Sequence, residues 1–519
     1  MLDRLFNYNL HKYLHVLGAA ILVVGLPFNK VLMSIGTIWL VANVLLEGNF
    51  KEYWEKLKIN PIFWVIFGLT IFHFIGLLWS EDLAYGLRDI RTKLPFFVLP
   101  AVFIAKPLDN AYWKPILYLF VFTLAFISLT NYTIYFLIEQ KDYSNDIREL
   151  SFFSSHIRFG ILVVFGAVLA AFQVVQNKKW ILIWILLLFW FLYYTLIAQV
   201  MTAYFTLFIL TIGVIIAFIL QLKKWYYQVL IISIFALFSG FLINKLVVYL
   251  TPDTAPIEVS KLDRYSSSGN IYLHIPENEL LENGHHIYTY ICHEELAPLW
   301  NEISTINYDS LDNRKQPLKA TLIRYMTSKG LRKDADGFKS LTDKDIKNIE
   351  KGIPSINATQ NSYLSRLDGL KMQIYSYQMG TSPSGHSLLQ RFEHWKTALF
   401  IIRENFWFGV GTGDVQNEFD IAYEELNSPL EKHYWNRSHN QFLTFWVSFG
   451  ILGFCLFLSL WILLFKYATK NKNWLAYCFA LIVVASFIPE DTLETQQGVT
   501  FVAFFIGFLP FVKYVDKKN

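Results

Sequence analysis

The chain has 519 residues, of which 54% are hydrophobic, 18% aromatic and only 17% charged, and its mean hydropathy is +0.35. Such a composition excludes a disordered or nucleic-acid-binding polypeptide and is too apolar for an ordinary soluble enzyme of this size. The formal charge of +4 is the small difference between 45 basic and 41 acidic residues, so the positions of the charges carry more information than their sum.

A bilayer core of about 30 Å needs about 20 apolar residues per helix, fewer where flanking side chains snorkel. In chain order the segments that meet this need are Tyr13 to Leu26, Val31 to Leu46, Pro61 to Trp79, Leu94 to Ala105, Pro115 to Ile138 and Phe159 to Val175. Trp180 to Ile197, Val200 to Leu220, Trp225 to Ile243, Gln441 to Phe465, Trp474 to Ile488 and Val499 to Val512 complete the series. The reading is an all-α polytopic membrane protein of about twelve transmembrane helices. The runs are continuous rather than alternating, which argues against a β-barrel. Arg4 and Lys12 precede the first run as in a signal peptide, but no small-residue cleavage site follows and Asn29-Lys30 leads into another span, so this is read as a retained helix.

The positive-inside rule sets the orientation. With the N-terminus inside, the inner segments hold Arg4 and Lys12, then Lys51, Lys56 and Lys58, then Lys106 and Lys114. Lys178 with Lys179, Lys223 with Lys224, the group Lys466, Lys470 and Lys472, and the tail Lys513, Lys517 and Lys518 follow. The short outer loops hold Lys30, Arg88, Arg91, Lys93, Lys141 and Arg148. Every inner turn is basic, so an even number of spans with both termini inside is expected.

From about Asn244 to Asn440 the chain is polar, and a loop of that length in a compact protein is functional or a domain in its own right. The expected organisation is residues 1–243 as the first nine spans, 244–440 as a mixed α/β periplasmic loop domain, and 441–519 as the last three spans and a cytoplasmic tail. Alternating aromatic and aliphatic residues in Asn270 to Pro276 and Gly284 to Cys292, around the turn Glu282-Asn283-Gly284, predict a hairpin. Pro317 to Ser328, Thr342 to Lys351 and Gln360 to Met379 predict helices, and Gly380-Thr381-Ser382-Pro383-Ser384-Gly385 a loop. Phe392, Trp395, Leu399 and Ile402 recur at helical spacing, predicting an amphipathic helix over 391–405 that can lie along the membrane surface.

Ionisable groups near membrane depth are functional candidates by default. Arg158 at the outer end of the sixth span, Arg391 and Arg403 on the amphipathic helix, and His439 just before the tenth span all fall on the outer face. Guanidinium groups grip phosphate oxygens through a planar fork, and an imidazole can take a proton from a hydroxyl, so the set suits a phosphorylated lipid substrate. Against this stand plainer roles: interfacial anchoring for Arg158, capping around His439 by Ser438 and Asn440, and pairing of Arg403 with Glu404. The run Phe408-Gly409-Val410-Gly411-Thr412-Gly413-Asp414 lacks the strand-helix-strand setting of a dinucleotide site; it is either a turn whose amides face a diphosphate or a plain connection. Cys292, Cys455 and Cys478 show no CxxC spacing, and strand alternation splits His285, His286, Cys292, His293, Glu294 and Glu295 between two faces, so no metal site is expected. Glu490, Asp491 and Glu494 of the last outer loop are read as shaping the outer mouth electrostatically, with a general base or a cation site as the other options.

Arg391 followed by Trp395, then Gly409-Val410-Gly411-Thr412-Gly413, then Ser438-His439-Asn440-Gln441-Phe442-Leu443 and Phe449-Gly450-Ile451-Leu452-Gly453, resembles the O-antigen ligase and polymerase superfamily of bacterial membrane glycosyltransferases. Ser80-Glu81-Asp82 with Leu94-Pro95-Phe96-Phe97-Val98-Leu99-Pro100 is similar to that family's early outer loop, and Thr321 to Asp334 to an insert found in some ligases, here read as a lid or recognition module within 250–385. The resemblance implies a multi-pass protein of the bacterial inner membrane with its active site facing the periplasm. It implies glycan transfer from an undecaprenyl diphosphate-linked donor to the lipid A core or another glycan acceptor, inverting, among membrane lipids, with no cofactor or metal and no nucleic acid. Carried over by position, Arg391 matches the loop arginine that contacts diphosphate, with Arg158 and Arg403 as supporting cations. His439 matches the base for the acceptor hydroxyl, and Gly411, Gly413 and Asn440 form a candidate substrate loop. The family tends to carry another arginine at the outer start of the eighth span, where this chain reads Gln199-Val200-Met201-Thr202-Ala203-Tyr204, so Arg158 or Arg403 would have to supply that charge. Alternatives are a repeat-unit polymerase, a protein O-oligosaccharyltransferase and, from a different class, a lipid-linked saccharide transporter, for which repeat symmetry and broken helices at mid-membrane are expected.

Overall fold

Residues 8–141, 147–222, 224–251, 255–314, 316–356, 362–378 and 382–511 are described by a computed structural model. Arg4, Lys223, Lys513, Lys517 and Lys518 of the basic inner segments, and Gly380-Thr381 of the predicted loop, lie outside the described residues. The chain forms two units, one of residues 1–135, 148–225 and 384–519, the other of residues 136–147 and 226–383.

Helices dominate because long Leu-, Ile- and Phe-rich runs satisfy every backbone group internally, as a lipid setting demands. The first unit opens with α1 (Tyr8–Phe28), α2 (Lys30–Glu47), α3 (Phe50–Lys58) and α4 (Pro61–Ile75). Asn29 caps α2 by accepting from the Val31 amide, and Asn60 caps α4 with Pro61 at its first position, where no amide hydrogen is needed. Then come α5 (Leu83–Ala105), α6 (Trp113–Tyr132), α7 (His156–Gln176), α8 (Ile181–Ala198) and α9 (Met201–Ile219). The helix α10 (Trp225–Leu250) belongs to the second unit from Tyr226 onward. Among the described residues nine helices are long and apolar enough to cross a membrane: α1, α2, α4 with its 3-10 extension to Trp79, α6 with its π turn to Ile138, α7, α8, α9, α10, and α18 (Gln441–Lys470). Two shorter apolar helices, α19 (Trp474–Ser486) and α20 (Gln496–Phe508), have 13 residues each.

One predicted boundary moves. The segment from Arg88 to Lys93, expected as outer loop, is helical, because Asp82 accepts from the Tyr85 amide and starts α5 eleven residues before Leu94. The short α20 is buried on every side from Gln497 to Phe508, as an all-apolar helix should be, and Phe501 and Phe505 stack edge-on with Phe165 and Phe479.

The second unit is also mainly helical, in contrast to the mixed α/β expectation. Asn283 and Gly284 both have positive φ (51° and 80°), the conformation a tight hairpin turn needs, but the strands β1 (Leu281–Glu282) and β2 (His285–His286) are two residues long. Pairing beyond them reduces to an isolated bridge between Leu273 and Ile291. From His293 the chain is helical, as α11 (His293–Ile303), followed by α12 (Leu318–Ser328), α13 (Ala335–Lys339), α14 (Asp343–Glu350) and α15 (Ser362–Gln378). Thr342 and Asp345 form a reciprocal capping box on α14, and Leu296, Trp300, Leu322, Met326 and Ile349 build the core of this unit.

The remaining helices, α16 (Ser387–Glu404) and α17 (Val415–Glu425), belong to the first unit. The amphipathic helix therefore starts before Arg391, and of the predicted stripe Ile402 is buried while Phe392 and Leu399 are open on the outside. His394, Thr397, Ala398 and Ile401 face inward, whereas Phe392 and Leu399 are exposed. The inward face mixes apolar core residues with Glu393, His394 and Thr397, and His394 belongs to the cluster described next.

Candidate active site

Five stretches of the first unit bring ionisable side chains together. Ser438 is fully buried, donates to the Asn440 carbonyl (2.9 Å) and pairs with the Thr444 hydroxyl (2.9 Å). Asn440 caps α18, its Oδ1 accepting from the amides of Phe442 (3.0 Å) and Leu443 (3.1 Å). Held between these two anchors, His439 takes a positive φ of 47°, a region that non-glycine residues enter only when their surroundings enforce it. Its side chain stays 36% exposed, the most open member of the cluster. The capping role expected around His439 is thus carried by Ser438 and Asn440. Asn440, proposed from sequence for the substrate loop, has its oxygen committed to the helix end.

The loop between α19 and α20 supplies three carboxylates. The side chains of Glu490, Asp491 and Glu494 are almost wholly buried, and each meets cations. Arg391 donates from Nε to the Pro489 carbonyl (2.9 Å) and from Nη2 to Glu490 Oε1 (2.6 Å). Arg158 reaches Glu490 Oε2 at 3.3 Å and Asp491 Oδ1 at 3.6 Å. Arg437 pairs with Glu494 Oε2 at 2.8 Å and lies 3.8 Å from Asp491. Lys93 bridges Asp89 (2.8 Å) and Glu494 Oε1 (2.9 Å), and Gln441 donates to the same oxygen of Glu494 (3.1 Å). Asp491 Oδ1 stands 3.7 Å from His439 Nδ1.

Burial alone would raise these carboxyls. The His439 imidazole and the Arg437 guanidinium nevertheless hold Asp491 below its usual value, and Lys93 and Arg437 do the same for Glu494. Arg437 in turn is pushed up despite its burial by Glu494 and Asp491. The His394 ring lies 5.3 Å from that of His439 and donates through Nε2 to the Tyr434 carbonyl (3.2 Å). Burial, and then the neighbouring His439, push it down to about 4, so it stands neutral beside His439 at ordinary pH.

Of the residues named from sequence, Arg158, Arg391 and His439 converge. Arg403 does not: it lies twelve residues further along α16, about 18 Å at 1.5 Å per residue, and its side chain is exposed. Arg437 and Lys93, which sequence reasoning passed over, occupy the cationic positions instead. The signal for them was present, since three carboxylates within five residues between two apolar helices call for cationic partners. The acidic loop is likewise a hub that pairs with the arginines and the histidine.

Gly411 and Gly413 have another task. Gly450 has φ 61° and breaks α18, and an added Cβ there would sit 2.2 Å from the Trp407 carbonyl carbon. The break frees the carbonyls of Val447 and Ser448, and the amides of Val410 (2.9 Å) and Gly411 (3.0 Å) donate to them. The Thr412 amide donates to the Gly76 carbonyl and that of Gly413 to Ser80 Oγ (2.9 Å). The amides of this loop are consumed in joining α4 to α18, so they do not face a diphosphate.

Among the described residues the one group of three with metal-ligand chemistry is His439, Glu490 and Asp491, whose donor atoms lie within 4.8 Å of one another. Both oxygens of Glu490 already point at guanidinium groups, and a divalent cation would sit beside Arg158, Arg391 and Arg437. The donor set fits guanidinium pairing better than a metal. His285, His286, Cys292 and their neighbours do not form such a group.

Residues 355–458 match the O-antigen ligase family. No curated protein matches the chain. The matched stretch holds Arg391, His394, Arg437, His439, the glycine loop and the Gly450 break, and it shows the O-antigen ligase superfamily likeness that those motifs suggested.

Proposed function

With an O-antigen ligase domain at residues 355–458 of a multi-pass membrane protein, we propose that the chain moves a glycan from undecaprenyl diphosphate to a hydroxyl of the lipid A core. The reaction takes place at the periplasmic face of the bacterial inner membrane. The observation that carries this reading is the convergence of half-open His439 with the guanidinium groups of Arg158, Arg391 and Arg437. A diphosphate ester is already a good leaving group; what it needs is positive charge where negative charge develops, and pre-placed guanidiniums supply that without reorganisation. The acceptor O–H gives its proton to His439 as its oxygen bonds to the anomeric carbon. The bond from that carbon to the diphosphate oxygen breaks on the opposite side, so the carrier leaves as diphosphate and configuration inverts. Asp491, at 3.7 Å, orients the imidazole and stabilises the imidazolium it becomes.

In this reading α5, α19 and α20 also span, which brings the total to twelve and leaves both termini inside. A 13-residue helix is about 20 Å long against an apolar core of about 30 Å, so the acidic loop joining α19 to α20 is held inside the protein beneath the outer surface. Charges at that level persist only when paired, as these are.

The test is the lipopolysaccharide of a deletion strain on a gel, complemented with wild type or His439→Ala. A ligase predicts loss of all long chains with lipid-linked polymer accumulating, and a transfer rate for the variant lower by about 10²–10⁴, with donor binding retained. Core bearing a single repeat would identify a polymerase instead, and full activity of His439→Ala would remove its role as base.

A further inference from the structure

The His439 cluster has two flanks of unequal charge. On one, Arg391 and Arg158 share the single carboxylate of Glu490. On the other, Arg437 and Lys93 are matched one for one by Glu494 and Asp89. Asp491 joins the two: its Oδ1 meets Arg158 (3.6 Å) and His439 (3.7 Å), and its Oδ2 lies 3.8 Å from Arg437. The first flank therefore carries a surplus cation and the second carries none. A leaving diphosphate suits the first, whereas a balanced flank offers a polyanion nothing and suits a neutral, hydrogen-bonding group.

Tyr85 stands on the balanced flank. Asp82 accepts from its amide (2.8 Å) at the start of α5, and Tyr85, Asp89 and Lys93 follow at four-residue steps, which puts them on one face of that helix. The phenol interacts electrostatically with Arg437, Glu494, Asp89 and Lys93. It is partly buried, yet among the described residues its hydroxyl finds no hydrogen-bond partner, and it is not sealed from solvent. A phenolic O–H in a cluster of ions is ordinarily bonded, since it can both donate and accept. Here the ions around it are engaged with one another, so the hydroxyl is left for an incoming group.

We propose that the Glu494 flank is the acceptor subsite and that the Tyr85 hydroxyl holds a hydroxyl of the acceptor sugar beside the one His439 deprotonates. This division of the site rests on the glycan-transfer reading. Inversion puts the entering and leaving oxygens on opposite sides of the anomeric carbon, so the groups that bind acceptor and diphosphate cannot share a flank. His439 stands between the flanks, on the carboxylate that reaches both. With the diphosphate on Arg158 and Arg391, the acceptor falls to the side of Arg437 and Tyr85. A neutral phenol fits that task, because it can donate to a sugar oxygen or accept from a sugar O–H without drawing the diphosphate across. Tyr85 keeps its own proton throughout; the proton of the reacting hydroxyl goes to His439.

The detergent-purified full chain is assayed with lipid-linked polysaccharide as donor and lipid A core as acceptor, each varied in turn. Tyr85→Phe removes one oxygen that bonds to nothing in the fold, so its melting temperature is expected to match the wild type. KM for lipid A core is expected to rise about tenfold, the worth of one neutral hydrogen bond, with KM for the donor unchanged. Retention of lipid A core in native mass spectrometry, which needs no turnover, should fall by the same factor. A wild-type chain that transfers while Tyr85→Phe keeps its acceptor KM overturns the role of Tyr85 and leaves the glycan-transfer reading standing. A rise in the donor KM alone overturns it by placing Tyr85 at the diphosphate, and an equal rise in both with a lower melting temperature does so by making Tyr85 structural. A wild-type chain that neither transfers to lipid A core nor retains it removes the transfer reading, and the acceptor subsite with it.

Discussion

Arg391 illustrates how a single side chain is both held and offered. Its Nε and one terminal nitrogen are anchored on the Pro489 carbonyl and Glu490, while a fifth of the side chain remains exposed. Planarity matters here, since the fork lets one edge be fixed while another meets a ligand. Arg391→Ala should therefore raise KM for the lipid diphosphate by about 10²-fold, the loss of about 3 kcal/mol of charge-assisted hydrogen bonding. Arg391→Lys should recover little of it, because an ammonium cannot hold Pro489 and Glu490 and still present an edge. Steady-state kinetics with purified donor and acceptor check both; recovery by lysine to within about twofold would mean that only the charge counts. His439 had a residue-scale signal in the sequence, an imidazole between two cap-forming residues. The strained φ of 47° that aims it had none, because strain is a property of the packed surroundings and not of local preference.

Among the elements, the segment from Pro489 to Glu494 governs the site. Its carboxylates hold the arginines against mutual repulsion, and under the proposed function diphosphate would have to compete with Glu490 for Arg391 and Arg158. Glu490→Gln should accordingly tighten donor binding while lowering the melting temperature, a pairing of effects that simple damage to the fold would not give. Asp491 and Glu494 both have carboxyls held below their usual values in the fold. A depressed value means stability that is complete above the unfolded value near 4 and is lost as pH falls through the lower folded value. The loss of melting temperature in detergent caused by Glu494→Gln at pH 7 should therefore narrow below about pH 4. A deficit that stays constant with pH would mean that the charge of Glu494 contributes nothing. The apolar helices were legible because continuous hydrophobic runs have one solution in lipid, and Asn283-Gly284 announced its turn. The pairing of the acidic loop was not legible, because the partners Arg158, Arg437 and Lys93 come from distant segments and only packing brings them together.

At the scale of the molecule, the two ends of the membrane helices have opposite chemistry. One end gathers His439, four cations and four carboxylates around the glycine-loop junction; the other ends in lysine-bearing turns, among them Lys106 paired with buried Glu47. The break in α18 at Gly450 is the kind of feature a transporter would use, but its freed carbonyls are taken by the glycine loop, which makes it a joint rather than a binding site. A fixed orientation follows from the lysines, because basic turns stay on the cytoplasmic side. In a variant with Cys292, Cys455 and Cys478 replaced by serine, an impermeant thiol reagent added to intact spheroplasts should label Glu425→Cys, on α17, and not Lys470→Cys, at the far end of α18; both side chains are exposed. Lysis should make Lys470→Cys reactive. The reverse pattern would turn the His439 cluster to the cytoplasm, where a periplasmic acceptor could not reach it, and would remove the proposed reaction together with its topology.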